Sequence, residues 1–103
     1  MTNITVGIAN LNSIVIGCDA IYAVTLPYSI TDYDFEANLK TKDVIIEPFT
    51  VVVDLITEGK VWFSLTPSIT TSLNPGHYFW NFIQTDDEGV KNEILRGLID
   101  VIK

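Results

Sequence analysis

The sequence predicts an all-β fold, an antiparallel β-sandwich of six to eight short strands, and three observations point to it. Apolar residues recur at every second position rather than every 3.6, as half-buried strands require. Turn residues punctuate the chain about every ten positions, the spacing of a sandwich. No segment has the length and periodicity of an amphipathic helix.

Residues 1 to 16 form an N-terminal strand or arm, with one or two short strands between Ile4 and Ile16. Ala20, Tyr22, Val24 and Leu26 make the next strand, which ends at Pro27, a residue that cannot donate to a ladder. Tyr33, Phe35, Ala37 and Leu39 then alternate with Asp32, Asp34, Glu36, Asn38 and Lys40, the clearest half-buried strand in the chain. Phe49, Val51, Val53 and Leu55 share one face of a strand, and Val61, Phe63 and Leu65 share one face of the next. The Glu58-Gly59 turn joins the two as a hairpin. The stretch from Ser68 to Leu73 is poor in helix formers and closed by Asn74-Pro75-Gly76, so it holds one short helical turn and serves as a crossover between sheets. From His77 to Thr85, Tyr78, Trp80 and Phe82 alternate with Phe79, Asn81 and Ile83. Asp86-Asp87-Glu88-Gly89 turns the chain into a last strand from about Asn92 to Ile102, with Gly89 supplying the positive φ of a hairpin bulge.

Composition bounds the function. The 103 residues suffice for one core and are too few for two stable domains, so residues 17 to 103 form the core module behind the arm. Hydrophobic residues at 48% and charged residues at 18% are the balance of a chain that folds. Thirteen acidic residues against six basic ones give a net charge of −7, which leaves no electrostatic footprint for a phosphate backbone. Neither nucleic acid nor an anionic membrane is expected as a partner. Cys18 is the single cysteine, so the fold stands without a disulfide of its own. No basic region followed by an apolar stretch opens the chain, and no apolar run approaches a membrane span.

Chemistry-bearing residues are sparse. His77 is the only histidine and has no local motif of nucleophile and base, so it reads as a surface turn residue. One histidine and one cysteine cannot close a structural zinc site. Asp32, Asp34 and Glu36, and separately Asp86, Asp87 and Glu88, could offer oxygen ligands to calcium. Neither group has the calcium-loop spacing, and both read as a solvated strand face and a hairpin tip. Paired carboxylates for glycoside hydrolysis need a cleft that so small a domain rarely makes. Glycine-rich phosphate loops are absent. No catalytic residue, metal or cofactor is therefore assigned.

The backs of the strands carry more information. If Val61, Phe63 and Leu65 face inward, Trp62 faces outward; the same alternation puts Phe79 and Ile83 outside Tyr78, Trp80 and Phe82. With Leu95, Gly97, Ile99 and Val101 inward, Ile94, Leu98 and Ile102 face away. Trp62, Phe79, Ile83, Ile94 and Leu98 are accordingly expected to form one contiguous apolar patch, a protein–protein interface unless residues 1 to 16 fold over it.

The ordered succession of segments also carries a resemblance. Gly17-Cys18-Asp19-Ala20-Ile21-Tyr22, Asp34 to Leu39, Phe49 to Val53, Gly59 to Thr66, Pro75 to Phe82, Asp86 to Gly89 and Leu95 to Val101 together resemble the immunoglobulin-like β-sandwich module of tailed-bacteriophage structural proteins, such as the N-terminal domain of baseplate upper proteins. The resemblance implies a non-enzymatic virion subunit, assembled in the host cytoplasm, working through contacts with other virion proteins or with further copies of itself. In that family the module often precedes a fibre or receptor-binding region, so a solitary module implies an adaptor, decoration or baseplate accessory role. A small carbohydrate-binding module using Trp62, Phe79 or Tyr28 as stacking platforms is the alternative from a different class. A hydrolase built on the acidic clusters is weaker, because no positioned carboxylate pair is visible.

Overall fold

The computed structural model describes residues 7–27, 30–42, 44–54 and 59–103. Among these, nine strands and one short helix follow in order: β1 (Gly7–Ile8), β2 (Ile14–Val15), β3 (Ala20–Thr25), β4 (Asp34–Thr41), β5 (Val44–Pro48), β6 (Thr50–Asp54), β7 (Lys60–Leu65), α1 (Pro67–Thr71), β8 (Gly76–Thr85) and β9 (Lys91–Ile102). They make two sheets. The larger runs β1-β9-β8-β4-β5, with β2 also pairing β9, and the smaller runs β3-β7-β6.

This is the order of an immunoglobulin-like sandwich, in which one sheet holds the second, fifth and fourth strands of the basic fold and the other the third, sixth and seventh. Tyr78, near the start of β8, supports the assignment: its hydroxyl donates to the Asn74 carbonyl at 2.7 Å, the corner hydrogen bond that marks this position in such folds. Helix α1 carries the chain from the smaller sheet to the larger, as the composition of residues 68 to 73 predicts. The β8–β9 turn also forms as expected, with Gly89 at φ 83°.

Two features depart from expectation. Residues 7–8 and 14–15 pair with β9 in parallel, so the ladders are not all antiparallel and the N-terminal segment extends the edge of the larger sheet. Strand β5 has no counterpart among the expected strands, because Val44-Ile45-Ile46 is a run rather than an alternation and Pro48 follows it. The Glu58 end of the β6–β7 turn, together with Leu55, lies outside the described residues, as do residues 1 to 6 and Tyr28.

The core sits between the sheets and is aromatic. Phe63 of β7 stacks on Trp80 of β8, with ring centroids 5.4 Å apart and planes at 15°, and Phe49 meets Phe63 edge-on at 5.2 Å. Phe63, Phe82, Ala37, Leu39 and Val61 are wholly buried. Offset stacking and edge contacts add to the hydrophobic gain of burying rings this large, so one cluster fixes the distance between the sheets.

Candidate interaction surfaces

The strand registers lay out the outer face of the larger sheet in rows. Lys40, Phe79 and Leu98 lie side by side across β4, β8 and β9, and Asn38, Asn81 and Arg96 form the next row. Phe79 is 44% exposed and Leu98 51%, an apolar pair facing solvent. The neighbouring row is polar and internally satisfied. Asn38 Nδ2 donates to Asn81 Oδ1 at 3.2 Å, and Asn81 Nδ2 donates to Glu93 Oε2 at 3.1 Å. Arg96 Nε lies 3.6 Å from Glu93 Oε1. Both asparagines are buried although they sit on the outer side of their strands, so they hold β4 to β8 rather than present free groups.

Phe79, Leu98 and Ile8 form the apolar part of a depression of about 430 Å³ on this face, and Lys40, Lys42 and Arg96 supply cations around it. The volume falls within the range of ligand-sized recesses. Lys42 sits in the β4–β5 turn at φ 34°, a left-handed conformation that only glycine, and to a lesser degree asparagine or aspartate, adopts readily.

The outer face of the smaller sheet carries a second apolar surface. Trp62 of β7 pairs with Ala23 of β3 on one side and Val52 of β6 on the other, and Trp62, Val52 and Ile21 are all exposed. Lys60 Nζ lies 4.4 Å above the Trp62 ring centroid, a cation–π contact at the rim. Val44, Ile45 and Ile46 are exposed on β5, the outermost strand of the larger sheet.

The five residues expected to form one patch do not do so. Trp62 belongs to the smaller sheet and faces away from Phe79, on the opposite outer surface of the sandwich. Ile94 is only 7% exposed and joins the core. The cause is a bulge: Phe82 pairs with Leu95 but Ile83 pairs with Glu93, so Ile94 is the extra residue and the alternation of β9 shifts there. Ile83 is half-buried and separated from Phe79 by the polar asparagine row. Phe79 and Leu98 alone are neighbours, in direct register. Residues 7–16, the described part of the N-terminal segment, lie along the β9 edge and leave both residues exposed.

The remaining chemistry-bearing groups are accounted for locally. His77 Nδ1 and Asp100 Oδ1 are 2.7 Å apart on the open surface, where such a pair contributes little. Cys18 is exposed, and its carbonyl accepts from the Thr70 hydroxyl at 2.9 Å, while Gly17 N donates to Thr70 Oγ1 at 3.1 Å. Thr70 thus clamps α1 to the turn before β3. The Tyr22 hydroxyl donates to the Asn12 carbonyl at 2.7 Å, and burial pushes its pKa up to about 12. Among the described residues no three histidine, cysteine or acidic side chains cluster to hold a metal ion, and no helix is long and apolar enough to cross a membrane.

No family model matches the chain, and no curated protein matches it. Among solved structures it is similar to a 2,6-sialyltransferase from Vibrionaceae Photobacterium sp. JT-ISH-224, solved with the donor product CMP and the acceptor lactose. The identity is 9% and the TM-score 0.40; the match covers 95% of this chain but 18% of that one. So distant a likeness carries no functional argument. Fold and surfaces together describe an immunoglobulin-like β-sandwich with exposed apolar side chains on both outer faces.

Proposed function

We propose that this chain is a non-enzymatic structural subunit of a tailed-bacteriophage virion, working through protein–protein contacts. One observation supports it above the others: large apolar side chains stand exposed on both outer faces of the sandwich, Phe79 and Leu98 on one and Ile21, Val52 and Trp62 on the other. Apolar groups grouped on the surface of a small protein favour partners, because covering them removes their contact with water. Faces on opposite sides suit a subunit held between neighbours in a particle. The bacteriophage assignment itself rests on the sequence resemblance.

A carbohydrate-binding module would need an exposed ring bordered by polar side chains. Trp62 has Ala23 and Val52 as its cross-strand neighbours, and Phe79 has Leu98 on one side, so the contact-forming role is favoured. The experiment is incorporation into particles. Wild-type chain should co-band with virions on a density gradient, and Trp62→Glu or Phe79→Glu should reduce the amount incorporated. Glycan binding by a chain found only in the free-protein fraction would overturn the proposal in favour of the alternative.

A further inference from the structure

The chain is strongly acidic, yet three of its six cationic side chains, Lys40, Lys42 and Arg96, border one depression on the outer face of the larger sheet. Among the described residues, Glu93 is the single carboxylate lining that depression, and it is engaged by Asn81 and Arg96. Lys40 and Lys42 place two cations beside the apolar surface of Phe79 and Leu98.

At the far end of the same sheet, the β8–β9 turn has the complementary chemistry. Asp87 and Glu88 are exposed at its tip, and Val90 is exposed at its base opposite Asp86. The turn is held rigid from within: Asp86 Oδ1 accepts from the backbone N–H of Glu88 and of Val90, each at 2.9 Å, and Asp86 N donates to the Val90 carbonyl at 3.0 Å. Asp86 is thus spent on the turn, and the two carboxylates beyond it project from a preformed knob. A preformed knob loses little conformational freedom on docking.

The knob cannot reach the depression of its own chain. Phe79 and Thr85 lie on one continuous strand, and six residues at about 3.3 Å each separate them by roughly 20 Å. We infer that the acidic β8–β9 turn of one copy docks in the lysine-bordered depression of a second copy. Asp87 and Glu88 then face Lys40 and Lys42, and Val90 covers the Phe79–Leu98 surface. The contact joins two different patches, so it is heterologous and propagates head to tail into a ring or a row of subunits. This rests on the assembly role proposed above and supplies its geometry. The left-handed backbone at Lys42 fits the same picture, since a lysine there costs local stability and places a charge at the rim.

The test is sedimentation velocity over a concentration series with charge-reversed variants. Wild-type chain should self-associate. Lys40→Glu/Lys42→Glu and Asp87→Lys/Glu88→Lys should each associate about tenfold more weakly or worse, the loss expected for facing charge pairs made repulsive. An equimolar mixture of the two variants should recover wild-type association, because each knob then meets a depression of opposite charge. Lys42→Gly guards against misfolding: it removes the cation while relieving the backbone, so association should weaken with stability unchanged or raised. A wild-type chain that stays monomeric overturns the proposal. So does association that is indifferent to all three variants, and in that case a chain still found in particles leaves the virion role standing on other surfaces.

Discussion

Trp80 donates its indole N–H to the Ala9 carbonyl across 2.6 Å, tying the inner face of β8 to the segment between β1 and β2. Gly97 of β9 makes that approach possible, since a Cβ at this position would collide with the Ala9 carbonyl group and come within 2.9 Å of the indole nitrogen. Gly97→Ala should therefore push the N-terminal segment off the β9 edge. Hydrogen exchange at the Ala9 and Leu11 amides, which donate to Arg96 and Leu98 carbonyls, should accelerate markedly. Unchanged protection at both amides would contradict this role for Gly97.

Phe63 lies at the centre of the sandwich, wholly buried and in ring contact with Trp80, Phe82, Phe49 and Tyr22. Phe63→Ala should cost roughly 3–5 kcal/mol, the range for deleting a buried phenyl ring. Small domains have about 5–15 kcal/mol in all, so the variant should unfold at a much lower urea concentration or fail to fold. A midpoint within error of wild type would rule out the stack as the pillar of the core.

The Asn38–Asn81 hydrogen bond offers a double-mutant test. Asn38→Ala leaves a buried Asn81 oxygen without its donor and should cost about 1–3 kcal/mol. Asn38→Val combined with Asn81→Val removes both polar partners from one shared site and should be less damaging than the sum of the single changes. Strict additivity in urea denaturation would mean that the pair is not coupled.

Much of this architecture is legible in the sequence, and the losses have definite physical causes. Alternation along β4, β6, β7 and β8 identifies which side chains face the core, and Phe35, Ala37, Leu39, Phe63, Trp80 and Phe82 turn inward as the period requires. Alternation fixes the inner side of a strand but not the sheet it joins. Trp62 and Phe79 both point outward, and they do so on opposite sides of the molecule. Ile94 fails for a different reason, because one bulged residue shifts the period and no residue type around it marks the shift. Strand β5 was concealed by its edge position, where the exposed run Val44-Ile45-Ile46 need not alternate; three consecutive β-branched residues were the available signal. The lysine-bordered depression depends on bringing β4, β8 and β9 together, a juxtaposition that spacing along the chain does not encode.

Tyr22 should make stability pH-dependent in the alkaline range. Its pKa is raised to about 12 in the folded chain from an ordinary value of 10, because burial disfavours the phenolate. Below pH 10 both folded and unfolded states hold the proton and stability is full. Between 10 and 12 the unfolded chain releases the proton while the folded chain retains it, so stability falls as pH rises. Tyr22→Phe should be less stable at neutral pH by about 0.5–1.5 kcal/mol, having lost the bond to Asn12, and should show a shallower decline above pH 10. Parallel alkaline profiles for the two proteins would remove Tyr22 as the cause.

The proposed role as a structural part of a virion is tested most directly by the amount of the chain in gradient-purified particles. Quantitative mass spectrometry should find it there in a fixed ratio to the other particle proteins, with that ratio lowered by Trp62→Glu and by Phe79→Glu. Particles free of the chain, or a content that varies from preparation to preparation and ignores both substitutions, would contradict it.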